Sequence, residues 1–169
     1  MNKIAKVMIA TSMVFGTALG VSITEGSISQ NEATATTTQS SFNYYGYTAD
    51  GGEFVLSQSF YNGLNSGDVV FNGIKVNSRY VAQPSVKIIN DQIFQQVHGD
   101  KSNSVEFDLQ KHAVSLEEMR VQFGANFTYQ PPIHGEKVSA SDGLYEYQVG
   151  EGNIIFHMTN GYVNSVTVS

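Results

Sequence analysis

Apolar and polar residues alternate along most of the chain beyond residue 41, which is the pattern of strands with one buried face. Strands are predicted over residues 42–47, 71–80, 86–97 with a break near Asn90-Asp91, 104–109, 144–149, 153–159 and 162–168. The last two flank Asn160-Gly161, a dipeptide typical of two-residue hairpin turns. Their alternation slips near Asn164-Ser165, which predicts a β-bulge.

Helical periodicity replaces the alternation in two places. Ser115 and Glu118 have the spacing of a capping box, an apolar stripe follows them, and Gly124 is placed where a helix commonly ends. A second helix is predicted over residues 54–64, with Gly63 or Gly67 to end it. The long polar stretch over residues 128–142 is predicted to be an exposed loop.

The order strand, helix, strands, helix, strands is typical of an α+β fold. We therefore expect a mainly antiparallel sheet with two helices packed on one face. The same order also allows two related halves, each a helix plus strands, divided near residue 100, although the sequence shows no repeat.

The first 35 residues have the features of a secretion signal peptide. Lys3 and Lys6 give a positive start, residues 7–23 form an apolar run, and Ala33-Thr34-Ala35 is a cleavage pattern. A membrane anchor is the less favoured alternative, because a run of about 17 residues is at the short limit for a span. We expect cleavage near Ala35 or several residues earlier.

The rest of the chain is predicted to be a flexible segment over residues 36–41 and a single α+β domain over residues 42–169. The chain has no cysteine, which excludes a lipid anchor and disulfides. We expect the mature form to carry no membrane anchor and to be secreted, extracellular or loosely associated with the cell surface.

The mature part is acidic. The whole chain has 9 Lys and Arg against 15 Asp and Glu, a net charge of −6, and the predicted signal peptide removes two of each sign. An acidic surface opposes non-specific binding to nucleic acid and to anionic membranes. Protonation of the four histidines near pH 5 would bring the charge toward −2, so charge-driven binding should strengthen on acidification.

Catalytic patterns do not stand out. The sequence has no G-x-S-x-G, H-E-x-x-H or P-loop pattern, and Gly150-Glu151-Gly152 lacks the third glycine and the helix of a dinucleotide fingerprint. The histidines at 98, 112, 134 and 157 are too far apart along the chain to form a typical metal motif. We expect no catalytic residues, no metal, no cofactor and no enzymatic activity.

One window of the acidic chain is locally basic. Residues 69–90 contain no acidic residue but include Lys75, Arg79 and Lys87. On a strand, Lys75 and Arg79 would project to the same side about 13 Å apart, which suits a phosphate backbone, with Phe71 or Tyr80 nearby for base stacking. The alternative is ordinary solvated charge on a strand face.

The tyrosine-rich stretch Asn43-Tyr44-Tyr45-Gly46-Tyr47 has two interpretations. Alternation places Tyr45 and Tyr47 on one face of a strand and Tyr44 on the other. One face must contribute to the core, so the rings cannot all be a ligand platform. The sequence does not tell which face is buried, and the exposed pair is a candidate for stacking on nucleic acid.

Several stretches occur together in order over nearly the whole chain: Asn43-Tyr44-Tyr45-Gly46-Tyr47, Phe71-Asn72-Gly73-Ile74-Lys75-Val76, Ser115 to Gly124, Ser141 to Tyr147 and Asn160 to Val168. With the Met1-Asn2-Lys3 start, this arrangement resembles the immunodominant staphylococcal antigen B family. The resemblance implies a secreted, virulence-associated, non-enzymatic antigen of a Gram-positive bacterium, seen by host antibodies and binding extracellular nucleic acid. The well-known member of that family is lysine-rich and basic, whereas this chain is acidic.

Two functional hypotheses follow. In the first, the antigen binds extracellular DNA or RNA weakly through Lys75, Arg79, Lys87, Phe71, Tyr80, Tyr45 and Tyr47. In the second, it is a secreted protein-interaction or inhibitor-like module that binds a host or bacterial protein through the outer face of the sheet. Residues 115–168 resemble the modules of β-lactamase-inhibitor-like proteins, which is an analogy of fold.

Overall fold

The computed structural model describes residues 41–132 and 139–169. The predicted signal peptide over residues 1–35 and all but the last residue of the predicted flexible segment lie outside the described residues, as does His134.

The described strands form two sheets, where the sequence predicted one. The smaller sheet has the order β1-β2-β3-β6 and consists of β1 (Phe42–Tyr44), β2 (Val69–Phe71), β3 (Ile74–Val76) and β6 (Lys101–Ser102). In it, β1 pairs with β2 and β3 with β6 in parallel, and β2 pairs with β3 antiparallel.

The larger sheet is antiparallel throughout, with the order β4-β5-β7-β11-β10-β9-β8. Its strands are β4 (Val86–Ile89), β5 (Gln92–Gln95), β7 (Ser104–Asp108), β8 (Thr128–Gln130), β9 (Gly143–Val149), β10 (Gly152–Thr159) and β11 (Tyr162–Val168). The fold is thus α+β with mainly antiparallel sheets, as predicted. A division near residue 100 does not separate two sheets, because β5 and β7 are neighbours in this one.

The helices begin and end at capping residues that the sequence supplies. Helix α1 (Gln58–Ser66) follows a 3-10 turn at Glu53–Leu56 and ends at Gly67, whose φ is 64°. Helix α2 (Leu116–Phe123) begins with the predicted capping box: the Glu118 backbone N–H donates to Ser115 Oγ at 3.3 Å, and the Ser115 N–H donates to Glu118 Oε2 at 2.9 Å. The α2 prediction is confirmed.

The turns explain which strand predictions succeeded. The break at Asn90-Asp91 and the hairpin at Asn160-Gly161 are confirmed. The β-bulge is confirmed too, because His157 pairs with Ser165 and Met158 with Val163, which leaves one extra residue in β11. The single strand over residues 71–80 is wrong.

That stretch turns at Asn72-Gly73, where φ is 47° and 82°, and β3 ends at Val76. The expected loop over 128–142 contains β8, and its residues 133–138 lie outside the described part.

The core joins the two sheets. Phe71 of the smaller sheet is fully buried, and its ring centroid lies 5.0 Å from that of Phe107 in the larger sheet. At the other end, Phe123 of α2 packs on Tyr147 and Phe156 at 5.4 and 5.0 Å. Among the described residues, no helix has the length and apolar character that a membrane crossing requires.

Candidate functional site

Lys75 and Lys101 are paired on the smaller sheet, and Arg79 and Tyr80 lie in the loop after β3; we call these four residues the basic cluster. Lys75 and Lys101 are direct neighbours across β3 and β6. The Lys101 ammonium lies 5.2 Å from the centroid of the half-buried Tyr80 ring, within cation–π range. Arg79 precedes Tyr80 in the loop after β3.

Two of these cations already have carboxylate partners. Lys75 Nζ lies 2.8 Å from Asp68 Oδ1, and this hydrogen bond raises the pKa of Lys75 against the opposing effect of burial. Arg79 pairs with Glu151 at the surface. Within the described part of the chain, Lys101 has no carboxylate partner. A phosphate group at the basic cluster therefore meets one unpaired cation and competes with Asp68 and Glu151 for the others.

The structure does not bring all the predicted residues together. Phe71 is fully buried in the core, so the prediction that its ring stacks on bases is wrong. Lys87 is exposed on β4, an edge strand of the larger sheet, and no contact among the described residues links it to the basic cluster.

The two predicted tyrosines lie on a loop. Tyr45 and Tyr47 are 71% and 57% exposed after β1, whereas Tyr44 on the other side packs on the Phe54 ring at 4.4 Å. The exposed face of the tyrosine-rich stretch is therefore that of Tyr45 and Tyr47. No contact among the described residues joins these two rings to the basic cluster.

A polar network holds this loop, which we call the tyrosine loop (residues 45–49). The Gly46 carbonyl oxygen accepts hydrogen bonds from the side-chain amides of Asn72, Asn90 and Gln92 at 3.1, 3.1 and 2.9 Å. These partners come from two turns and a strand, so the loop is tied to both sheets. Exposed tyrosines on an ordered backbone are a common means of binding macromolecules, because little conformational entropy is lost.

Asp91 is the second anchor of the tyrosine loop. Its carboxylate accepts from the Thr48 N–H at 3.1 Å and from the Ala49 N–H at 2.7 Å. Burial alone would raise the pKa of Asp91, but these backbone hydrogen bonds outweigh it and lower that pKa. Asp91 is therefore ionised and bound to the loop at neutral pH.

Sequence reasoning missed Lys101. It lies outside the basic window of residues 69–90, next to Asp100, and it joins Lys75 through the parallel pairing of β3 with β6. The carboxylates of Asp68 and Glu151 likewise come from outside the window. Alternation separates Lys75 from the buried Ile74 and Val76, but it gives no signal for Lys101.

Among the described residues, no group of three or more His, Asp or Glu side chains could hold a metal ion. His157 is half-buried on β10, with Nε2 3.4 Å from Thr167 Oγ1.

Comparison with known proteins gives one family. The family model described as "Immunodominant staphylococcal antigen B" matches residues 41–168. Proteins named immunodominant staphylococcal antigen B from Staphylococcus aureus strains USA300, NCTC 8325 and COL are each 27% identical over 150 residues, which cover 88% of this chain and 82% of the relative. No solved structure gives a significant match.

Proposed function

The chain belongs to the immunodominant staphylococcal antigen B family, and from that premise we propose that it is an extracellular, non-enzymatic antigen that binds DNA or RNA weakly. The observation that carries the nucleic-acid proposal is the basic cluster, in which Lys75 pairs with Lys101, Lys101 lies over the Tyr80 ring and Arg79 is next to Tyr80 along an otherwise acidic chain. Host antibodies are the second class of partner, which the family name supports.

The arrangement of the basic cluster suits a single strand. Cations next to an accessible ring allow a base to stack while its phosphates bind the ammonium groups. Weak affinity follows from the two carboxylates that compete for Lys75 and Arg79. Lys87, Tyr45 and Tyr47 remain in the proposal as outlying contacts for a longer strand.

Fluorescence anisotropy with a labelled 20-nucleotide single strand tests the proposal. Three cations on a single strand give a salt slope of about −2, so affinity should fall roughly twentyfold between 50 and 200 mM salt. The double substitution K75Q/K101Q should remove most binding, whereas the matched control K111Q changes an exposed lysine outside the cluster. Binding should also strengthen from pH 7.5 to pH 5.

The carboxylate partners of the basic cluster give a second test, in which the substitution should increase affinity for the single strand. If phosphates compete with Asp68 for Lys75, D68N should increase affinity several-fold at low salt. No binding at low salt and pH 5, or equal affinity for K75Q/K101Q and the unchanged protein, would refute the nucleic-acid proposal.

Protein binding is a second candidate function, favoured by a separate observation. Val86, Ile88 and Ile93 are 62%, 66% and 36% exposed on neighbouring strands. Clustered exposed apolar side chains are typical of protein-interaction surfaces, and no such cluster is needed for nucleic acid.

A further inference from the structure

Val86, Ile88 and Ile93 lie together on the outer face of the larger sheet, at its β4 edge. Ile88 and Ile93 are direct cross-strand partners between β4 and β5, and Val86 precedes Ile88 by two residues on the same face. On its other side Ile93 pairs with the exposed Glu106 of β7, whereas the core residue Phe107 pairs with Gln92 on the opposite face of the sheet. The apolar group is therefore separate from the core and is open to solvent.

The backbone N–H and C=O groups of Val86 and Ile88 on β4 are also free to form hydrogen bonds. In the β4–β5 hairpin, the Gln96 N–H donates to the Ser85 carbonyl oxygen. Hydrogen-bonded residues alternate along an antiparallel strand, so the backbone groups of Lys87 and Ile89 also point toward β5. The N–H and C=O groups of Val86 and Ile88 consequently point away from β5. Because β4 is the end of the sheet among the described strands, those groups face solvent.

We propose that β4 is a docking strand for an extended peptide segment of a partner protein, which adds antiparallel to β4 and carries an acidic residue between two apolar residues. This proposal goes beyond nucleic-acid binding and makes the second candidate function specific. The added strand takes the backbone bonds of Val86 and Ile88, and its apolar side chains cover theirs.

Lys87 decides between an acidic partner and a second copy of this chain. Two copies that use the free groups of both Val86 and Ile88 must place Lys87 opposite Lys87 of the second copy, and like charges directly opposite are unfavourable. Of the two registers that avoid this contact, one puts Val86 opposite Asn90, which lies in the turn, and the other puts Ile88 opposite Pro84, which has no N–H to donate. A lysine in an exposed edge strand is a common device against self-pairing.

The same lysine supplies charge complementarity. An acidic residue directly opposite Lys87 replaces repulsion with attraction, and its two neighbours then lie opposite Val86 and Ile88. Pro84 limits the added strand to a few residues, since it has no N–H to donate.

The test uses the folded protein and labelled nine-residue peptides of alternating threonine and valine, with glutamate or lysine at the centre between two valines. The glutamate peptide should bind roughly tenfold more tightly than the lysine peptide, since opposite and like charges act in opposite directions. The charge swap K87E should reverse that preference. V86T/I88T should abolish binding of both peptides, whereas V121T makes a matched change at a valine that is 80% exposed on α2 and should leave it intact.

Three results would overturn the proposal. They are equal binding of the two peptides, retention of binding in V86T/I88T, and a stable dimer by sedimentation that V86T/I88T dissolves, which would assign the edge to a second copy. The V86T/I88T variant separates this proposal from nucleic-acid binding, because it should bind the 20-nucleotide strand as well as the unchanged protein does.

Discussion

Replacing Asp91 with alanine should loosen the tyrosine loop and destabilise the protein. The carboxylate accepts two backbone N–H groups, from Thr48 and Ala49, and the Gln92 side-chain amide at 2.9 Å. A hydrogen bond to a charged group contributes about 1.5–3 kcal/mol when buried. Because the Thr48 bond is only partly buried and the Ala49 bond is exposed, about 1 kcal/mol for each backbone bond is appropriate, which gives a loss of about 2 kcal/mol for D91A.

Urea denaturation followed by circular dichroism measures this loss. With an m value of about 1.5 kcal/mol/M, a loss of about 2 kcal/mol lowers the midpoint by roughly 1.3 M. The matched control D50N changes an exposed aspartate of the same segment and should shift the midpoint by less than about 0.3 M.

The pH dependence gives a second measurement with a defined sign. The folded-state pKa of Asp91 is lowered, so its stabilising effect is fully present above the unfolded value of about 3.9. It is lost as the pH falls through the folded pKa. The difference in midpoint between the unchanged protein and D91A should therefore be constant from pH 7 to about 5 and shrink below pH 4. A D91A midpoint equal to that of the unchanged protein at pH 7 would refute the anchoring role.

Three further predictions concern stability. S115A removes the capping box of α2 and should cost about 1 kcal/mol, measured as a lower melting temperature, with S59A as a control. An unchanged melting temperature of S115A would count against the stabilising role of the capping box. G63A should cost about 1–3 kcal/mol in urea unfolding, because the added Cβ would lie 2.6 Å from the Phe42 Cβ. The control G51A has open space around it and should be nearly neutral. Equal effects of the two substitutions would contradict the close approach of Gly63 to Phe42. F71A should cost about 3–5 kcal/mol in the same assay, whereas Y80L should leave stability nearly unchanged and weaken binding of the single strand about tenfold.

Local patterns predicted the parts of the fold that depend on neighbouring residues. The capping box of α2 and the Asn160-Gly161 hairpin involve residues a few positions apart, and the sequence specifies both. The Asn72-Gly73 turn carries the same dipeptide signal, but an apparently continuous alternation through residues 71–80 concealed it.

The candidate site was harder to predict because its charges meet by long-range pairing. Lys101 reaches Lys75 only through the parallel pair of β3 and β6, and Glu151 reaches Arg79 from the turn between β9 and β10. A count of charges within a window of sequence cannot include such partners. The exposure of Tyr45 and Tyr47 likewise depends on which side of β1 meets Phe54.

The position of β11 has a consequence for the time at which the chain can fold. This strand lies between β7 and β10, so the larger sheet has two unpaired edges at its centre until residues 162–168 are in place. The pairing of β11 with β7 is long-range, and long-range pairing slows folding. Slow closure of the sheet suits a protein proposed to cross the membrane before it acquires its structure.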